Sequence, residues 1–102
     1  ILDASDTDTT VTGRRNGAPV RSIKNPMIKK YVELENENAS RDQLEELTLG
    51  SLRKAVHEGD VENGSVMAGQ ICGMLTEIRS TKNIIESLMK ESEQVASNLV
   101  IQ

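Results

Sequence analysis

The 102-residue sequence predicts an α+β chain, mostly helical with one short β-hairpin, whose core is incomplete. Three observations predict it. Thr9, Thr10, Val11 and Thr12 form one β-branched run, Val20 and Ile23 mark a second, and between them lies the turn dipeptide Asn16-Gly17, whose residues tolerate positive φ. From Asn25 onward, capping residues are followed by apolar positions at helical spacing. Finally, there is no Trp, no Phe and a single Tyr, Tyr31. Aromatic side chains bury ~150–250 Å² each and usually dominate core energetics. A chain without them is either a small bundle built on Leu, Ile, Val and Met or part of a larger fold whose remainder completes the core. The sequence favours the second reading, and its first residue is Ile1 rather than Met.

Element by element, residues 1–6 read as the tail of a helix. The hairpin follows, with Pro19, which lacks an N–H, marking an edge on its second strand. Asn25-Pro26 starts a helix, Asn capping and Pro in the first turn, with Met27, Ile28, Tyr31, Val32 and Leu34 on one side. Residues 35–39 are polar and break it. Ser40 and Gln43 make a capping box for a helix over 40–57, with Leu44, Leu47, Leu52 and Val56 on one face and Gly59 as its stop. Asp60 to Gly64 is a loop. Ser65 caps a third helix carrying Met67, Ile71, Met74, Leu75 and Ile78. Ser80 caps a last one with Ile84, Ile85, Leu88, Met89, Val95 and Leu99, supported by the i,i+4 pair Glu86–Lys90.

Charge and composition narrow the function. With 16 acidic against 12 basic residues, net charge −4 and pI near 5.0, the chain lacks the cation excess that a broad nucleic-acid face needs. No apolar run approaches the ~20 residues that span a bilayer, so no membrane partner is expected. A lone cysteine, Cys72, forms no internal disulfide, which fits a reducing cytoplasm.

Few residues offer chemistry. His57, the only histidine, sits near a helix C-terminus, where a protonatable ring is comfortable; no second histidine accompanies it as a zinc partner. Cys72 has no cation or base nearby in sequence and reads as a small packing residue. Asp6, Asp8, Asp60 and Glu62 lack the glycine and distal glutamate of an EF-hand loop, so no metal-ligand set is expected. Arg14, Arg15, Arg21 and Lys24 put four cations within eleven residues, a local anion-binding candidate or ordinary surface charge. The least ordinary stretch is Gly64 to Gly73. Gly69 and Gly73, one predicted helical turn apart, each cost a helix up to ~1 kcal/mol relative to Ala. That cost points to close approach, either of another backbone or of a flat ligand.

This stretch, Gly59-Asp60-Val61-Glu62-Asn63-Gly64-Ser65-Val66-Met67-Ala68-Gly69-Gln70-Ile71-Cys72-Gly73, resembles the C-terminal signature of the flavin-dependent enoyl-acyl-carrier-protein reductases of type II, relatives of the nitronate monooxygenases (2-nitropropane dioxygenases). Cys72 stands where that pattern has Ala. Asp6-Thr7-Asp8-Thr9-Thr10 with Gly17-Ala18-Pro19-Val20-Arg21-Ser22-Ile23-Lys24-Asn25 resembles the segment after the last barrel strand, Ala18 replacing a His, and Ser51-Leu52-Arg53-Lys54-Ala55-Val56 also fits. The resemblance implies the C-terminal part of an FMN-dependent (β/α)₈ barrel. Residues 1–24 would be the end of a barrel helix plus the hairpin of a substrate-side subdomain, 25–59 a helical subdomain, and 60–102 a flavin-facing loop with C-terminal helices. It implies NAD(P)H-driven reduction of an enoyl thioester in fatty-acid synthesis, with the catalytic histidine upstream and no catalytic residue in this chain. It assigns Ser65, Met67, Ala68, Gly69 and Gln70 to the flavin wall and Arg14, Arg15 and Arg21 to substrate or carrier docking. The implied partners are the N-terminal barrel portion, an acyl-carrier-protein thioester and a second copy in a homodimer. Two other readings stand beside it: a nitronate monooxygenase of the same fold, and a non-catalytic helical interaction module.

Overall fold

A computed structural model describes residues 1–99. The hairpin forms as predicted. β1 (Thr9–Thr12) pairs antiparallel with β2 (Val20–Ile23), Thr9 opposite Ile23 and Thr12 opposite Val20. The turn, however, does not pivot on Asn16. Gly13 and Gly17 take the left-handed conformation, at φ 79° and 71°, and bracket a single 3₁₀ turn over Arg14–Asn16. Only glycine fits at Gly13, because a Cβ there would strike the Ala18 carbonyl. Residues 1–6 form turns rather than a helix tail: the Ser5 N–H donates to the Asp8 carboxylate at 2.7 Å, and the Ala4 N–H to the Ile1 carbonyl at 3.0 Å. Short polar side chains of this kind compete with helical hydrogen bonding.

Helix α1 (Pro26–Asn36) starts where Asn25-Pro26 places it, the Asn25 Oδ1 accepting from the Ile28 N–H at 2.9 Å. The capping box at Ser40–Gln43 also forms, both reciprocal bonds being present. The helix it starts is shorter than predicted. Gly50, in the left-handed region at φ 73°, splits the span 40–57 into α2 (Arg41–Thr48) and α3 (Ser51–Glu58). The third helix predicted from Ser65 is absent. Residues 66–68 run extended along β2 instead, the Ile23 N–H donating to the Val66 carbonyl at 2.9 Å and the Ala68 N–H to the Arg21 carbonyl at 3.3 Å. A 3₁₀ stretch over Gln70–Met74 follows, and then α4 (Thr81–Asn98), capped by Ser80. Three glycines in ten residues weaken a helix there, and β2 offers an open ladder that takes the segment. β2 is thus flanked on both sides at Arg21–Ile23, and Pro19 lies just before the strand.

The core is small. Met27 and Ile28 of α1, Leu44 of α2 and Cys72 are its buried apolar side chains, and α4 buries none of its residues. The accessible surface is 8006 Å², against about 5,700 Å² for a folded monomer of this mass. The radius of gyration is 17.6 Å, against about 13 Å for a compact domain of this length. Met67, Ile71 and Met74 stand 50%, 63% and 74% exposed. An independent helical module would have sealed these side chains in, and this chain does not. Among the described residues, no helix is long and apolar enough to cross a membrane.

Candidate functional site

The segment from Asp60 to Gln70 is built from its anchors outward. Asp60 opens it as a side-chain turn, its Oδ1 accepting from the N–H groups of Asn63 at 3.0 Å and Glu62 at 3.2 Å. The Asn63 backbone N–H, and after it the Asn63 side-chain amide, hold this carboxyl below the usual carboxylate range. Asn25 then works a second time. While its oxygen caps α1, its Nδ2 donates to the carbonyls of Val61 (2.8 Å) and Gly64 (2.7 Å). The Met27 N–H adds a bond to the Glu62 carbonyl at 3.1 Å. Gly64 is wedged: a Cβ would lie 2.5 Å from the Asp60 carbonyl oxygen and 2.6 Å from the Ala55 nitrogen. Ser65 is buried, its N–H donating to the Ser51 carbonyl at 2.9 Å and its hydroxyl 2.7 Å from that of Ser51. It is a strand anchor and not a helix cap.

Beyond Ser65 the segment turns outward. Met67 faces Ser22 in a non-hydrogen-bonded pair, so its own N–H and C=O point away from β2. Gly69 is extended at φ −80°, with nothing within 4 Å of the place where a Cβ would sit. Gln70 is exposed. Gly73 behaves differently: a Cβ there would come 2.7 Å from the Asp6 nitrogen. The two glycines therefore do not share a helix face. Gly73 admits this chain's own backbone, while Gly69 leaves an open flat surface.

A cleft of about 330 Å³ lies between the sheet and helices α1 to α3. Ser65 and Met67 line it together with Thr12, Ser22, Met27, Ile28, Tyr31 and Ser51, whereas Ala68, Gly69 and Gln70 lie outside it. Ser22 and Ser51 were not among the residues the sequence singles out. Their signal is faint: a serine at an inward strand position, and a serine directly after the left-handed Gly50.

The three arginines do not act alike. Arg14 is exposed at the hairpin tip. Arg15 Nη1 donates to the Glu35 carbonyl at 2.7 Å, tying the tip to the last turn of α1. Arg21 is half-buried and donates to Thr9 Oγ1 at 3.0 Å. His57 is exposed in the last turn of α3, and Cys72 is buried with its Sγ 3.7 Å from the Ser5 carbonyl. Among the described residues, no three His, Cys, Asp or Glu side chains cluster to hold a metal.

Hairpin, helical layer and glycine-punctuated edge segment match part of a TIM-barrel flavoenzyme class in comparisons with known proteins. A model of the family described as nitronate monooxygenase matches residues 1–91, and the chain belongs to that family. Among solved structures, it is similar to FabK from Thermotoga maritima, with 45% identity and a TM-score of 0.81 over 94% of this chain and 30% of that one. A FabK variant from the same organism, one methionine replaced by alanine, matches with 38% identity and a TM-score of 0.71 over 94% of this chain and 27% of that one. The chain thus spans about 30% of the length of the FabK chain it matches. No curated protein matches it.

Proposed function

We propose that this chain is the substrate-side and flavin-closing part of an FMN-dependent enoyl-acyl-carrier-protein reductase of the cytoplasm. The observation that carries the reading is the Met67–Gln70 edge, held on β2 from one side and open on the other, in a chain 45% identical to FabK. That edge fits one wall of a flavin site. Ala68 and Gly69 keep it flat, the Gly69 side is unobstructed, and the outward N–H and C=O of Met67 and the Gln70 amide are hydrogen-bonding groups. When bound, FMN supplies hydride taken from NAD(P)H and delivered to the enoyl double bond.

The residues of this chain hold and shield rather than react. Asn25, Ser51 and Gly64 fix the height of the edge, and Ser65 anchors it at the cleft. Met67 supplies an apolar cover that excludes water from one side. The barrel that completes the site carries the proton donor. Arg14, exposed at the tip, is the docking cation for an acidic carrier, while Arg15, also exposed but tied to the Glu35 carbonyl, and Arg21 support the hairpin.

The test follows NAD(P)H oxidation by the full-length enzyme with a crotonyl thioester, set against oxygen uptake with an alkyl nitronate. The family's name makes nitronate oxidation the competing reading, and activity confined to the nitronate would establish it. Arg14→Glu should raise KM for the carrier-bound thioester several-fold and leave KM for a small free thioester unchanged.

A further inference from the structure

The cleft under the sheet has a chemical character that the flavin edge lacks. Among the described residues, no charged side chain lines it. Four of its lining side chains are hydroxyls at least nine-tenths buried: Thr12, Ser22, Ser51 and Ser65, with 9%, 2%, 5% and 7% exposure. The buried side chains of Met27 and Ile28 provide an apolar floor. Its volume of about 330 Å³ falls at the low end of small-molecule sites, roughly 300–1,000 Å³. An ion placed there would lose its hydration without a counter-charge. The Ser51 and Ser65 hydroxyls, bonded to each other at 2.7 Å, keep further hydrogen-bonding capacity that a wholly apolar ligand would leave unused. The lining suits an uncharged chain with a carbonyl or amide in it. Met67 is shared, lining the cleft and also bordering the open edge.

We infer that this cleft is the seat of the uncharged acyl-thioester arm of the substrate, gripped by the serine and threonine hydroxyls and delivered toward the flavin edge past Met67. The inference rests on the reductase reading for the identity of the ligand, but not for the existence of the site. It separates two duties: the arginine tip meets the carrier, and the charge-free cleft takes the chain.

The test uses the full-length flavin-loaded enzyme and an unreactive probe, a saturated hexanoyl thioester of N-acetylcysteamine, with hexanoate ion as the charged comparison. The thioester should bind at least about tenfold more tightly than hexanoate, since only the ion carries an unpaired charge into the cleft. Val20→Phe and Leu52→Phe narrow the cleft from two different elements, and both side chains are partly exposed (38% and 46%), so the fold has room for them. Each should weaken thioester binding by about tenfold or more, with FMN content retained. Lys30→Ala, on the exposed side of α1, should leave binding unchanged. Equal affinity for thioester and hexanoate, or affinity untouched by both phenylalanines, would overturn the inference even if crotonyl thioester is turned over. Cleft-dependent binding without such turnover would instead retain the cleft and remove the reductase reading.

Discussion

Residues 8–68 and residues 70–98 are both rich in apolar side chains, yet they use them in opposite ways. The first stretch is cross-tied. Asn25 joins α1 to the loop before Gly64, Ser51 joins α3 to Ser65, and β2 carries β1 on one side and the extended 66–68 segment on the other. The second buries little besides Cys72, and α4 leaves Ile85, Leu88, Met89 and Val95 more than half exposed. The first region is a positioning frame with internal reasons for its geometry. The apolar stripe of the second has no counterpart within the described residues to explain it. Glycines draw the same contrast at closer range, Gly64 and Gly73 being wedged against backbone while Gly69 faces open space.

The largest expected effect falls on the frame. Gly64→Ala forces a Cβ within 2.6 Å of two backbone atoms that cannot swing aside. Its cost should be about 3 kcal/mol or more, at or beyond the upper end of ordinary overpacking. Urea unfolding followed by circular dichroism should show an early loss of structure; a midpoint equal to wild type would mean that the loop is not held as described. Asn25→Ala comes next. It removes the α1 cap and both amide bonds to the 60–65 loop, leaving two carbonyls unpaired, and should cost about 2–3 kcal/mol by the same measurement.

These two positions also show how far sequence reasoning reaches. Asn25 was legible as a cap, because Asn-Pro is a local signal, and so were the hairpin strands, the Ser40 box and the start of α4. The second task of Asn25 was not legible, since its partners lie 36 and 39 residues away and no spacing rule ties them together. The third predicted helix failed for a related reason. Met67, Ile71 and Met74 have helical spacing, but the free edge of β2 competes for the same residues, and a tertiary ladder outweighs local periodicity. Gly50 was passed over because Leu44, Leu47, Leu52 and Val56 suggested one uninterrupted stripe; in the structure Leu52 and Val56 are exposed and the chain turns at Gly50. The family signature drew attention to the Ser65–Gln70 segment, whose residues 66–68 the structure places extended along β2. The charge-free cleft beneath it was invisible, because it draws on residues scattered from Thr12 to Met67.

Smaller effects sharpen the boundary between the regions. Arg15→Ala removes the tie from the hairpin tip to the last turn of α1 and should cost about 1 kcal/mol, the worth of one charge-assisted bond at an exposed site. A loss near zero would detach the tip from the frame. Asp60 adds a pH dependence. Its folded carboxyl titrates below the ordinary 3.8 because the Asn63 groups bond the charged form. The stabilisation is therefore present above pH 3.8 and is lost as the pH falls through the lower folded value. Asp60→Asn should remove that acid-side slope from the unfolding curve, losing the charge-linked stabilisation near neutrality and converging with wild type at low pH.

Gly69→Ala is the smallest change in stability and the most informative about what the open edge is for. Nothing lies within 4 Å of the added methyl, and the backbone at φ −80° accepts alanine without strain, so the unfolding midpoint should stay within experimental scatter of wild type. If the Met67–Gln70 edge closes on a planar cofactor, the same methyl must then project against it. The full-length variant should retain less FMN after gel filtration, at unchanged fold content by circular dichroism. A stable variant with full flavin occupancy would place the cofactor elsewhere and leave the open side of Gly69 without a ligand. A destabilised variant would show that Gly69 belongs with Gly64 and Gly73, among the glycines that this chain needs for its own packing.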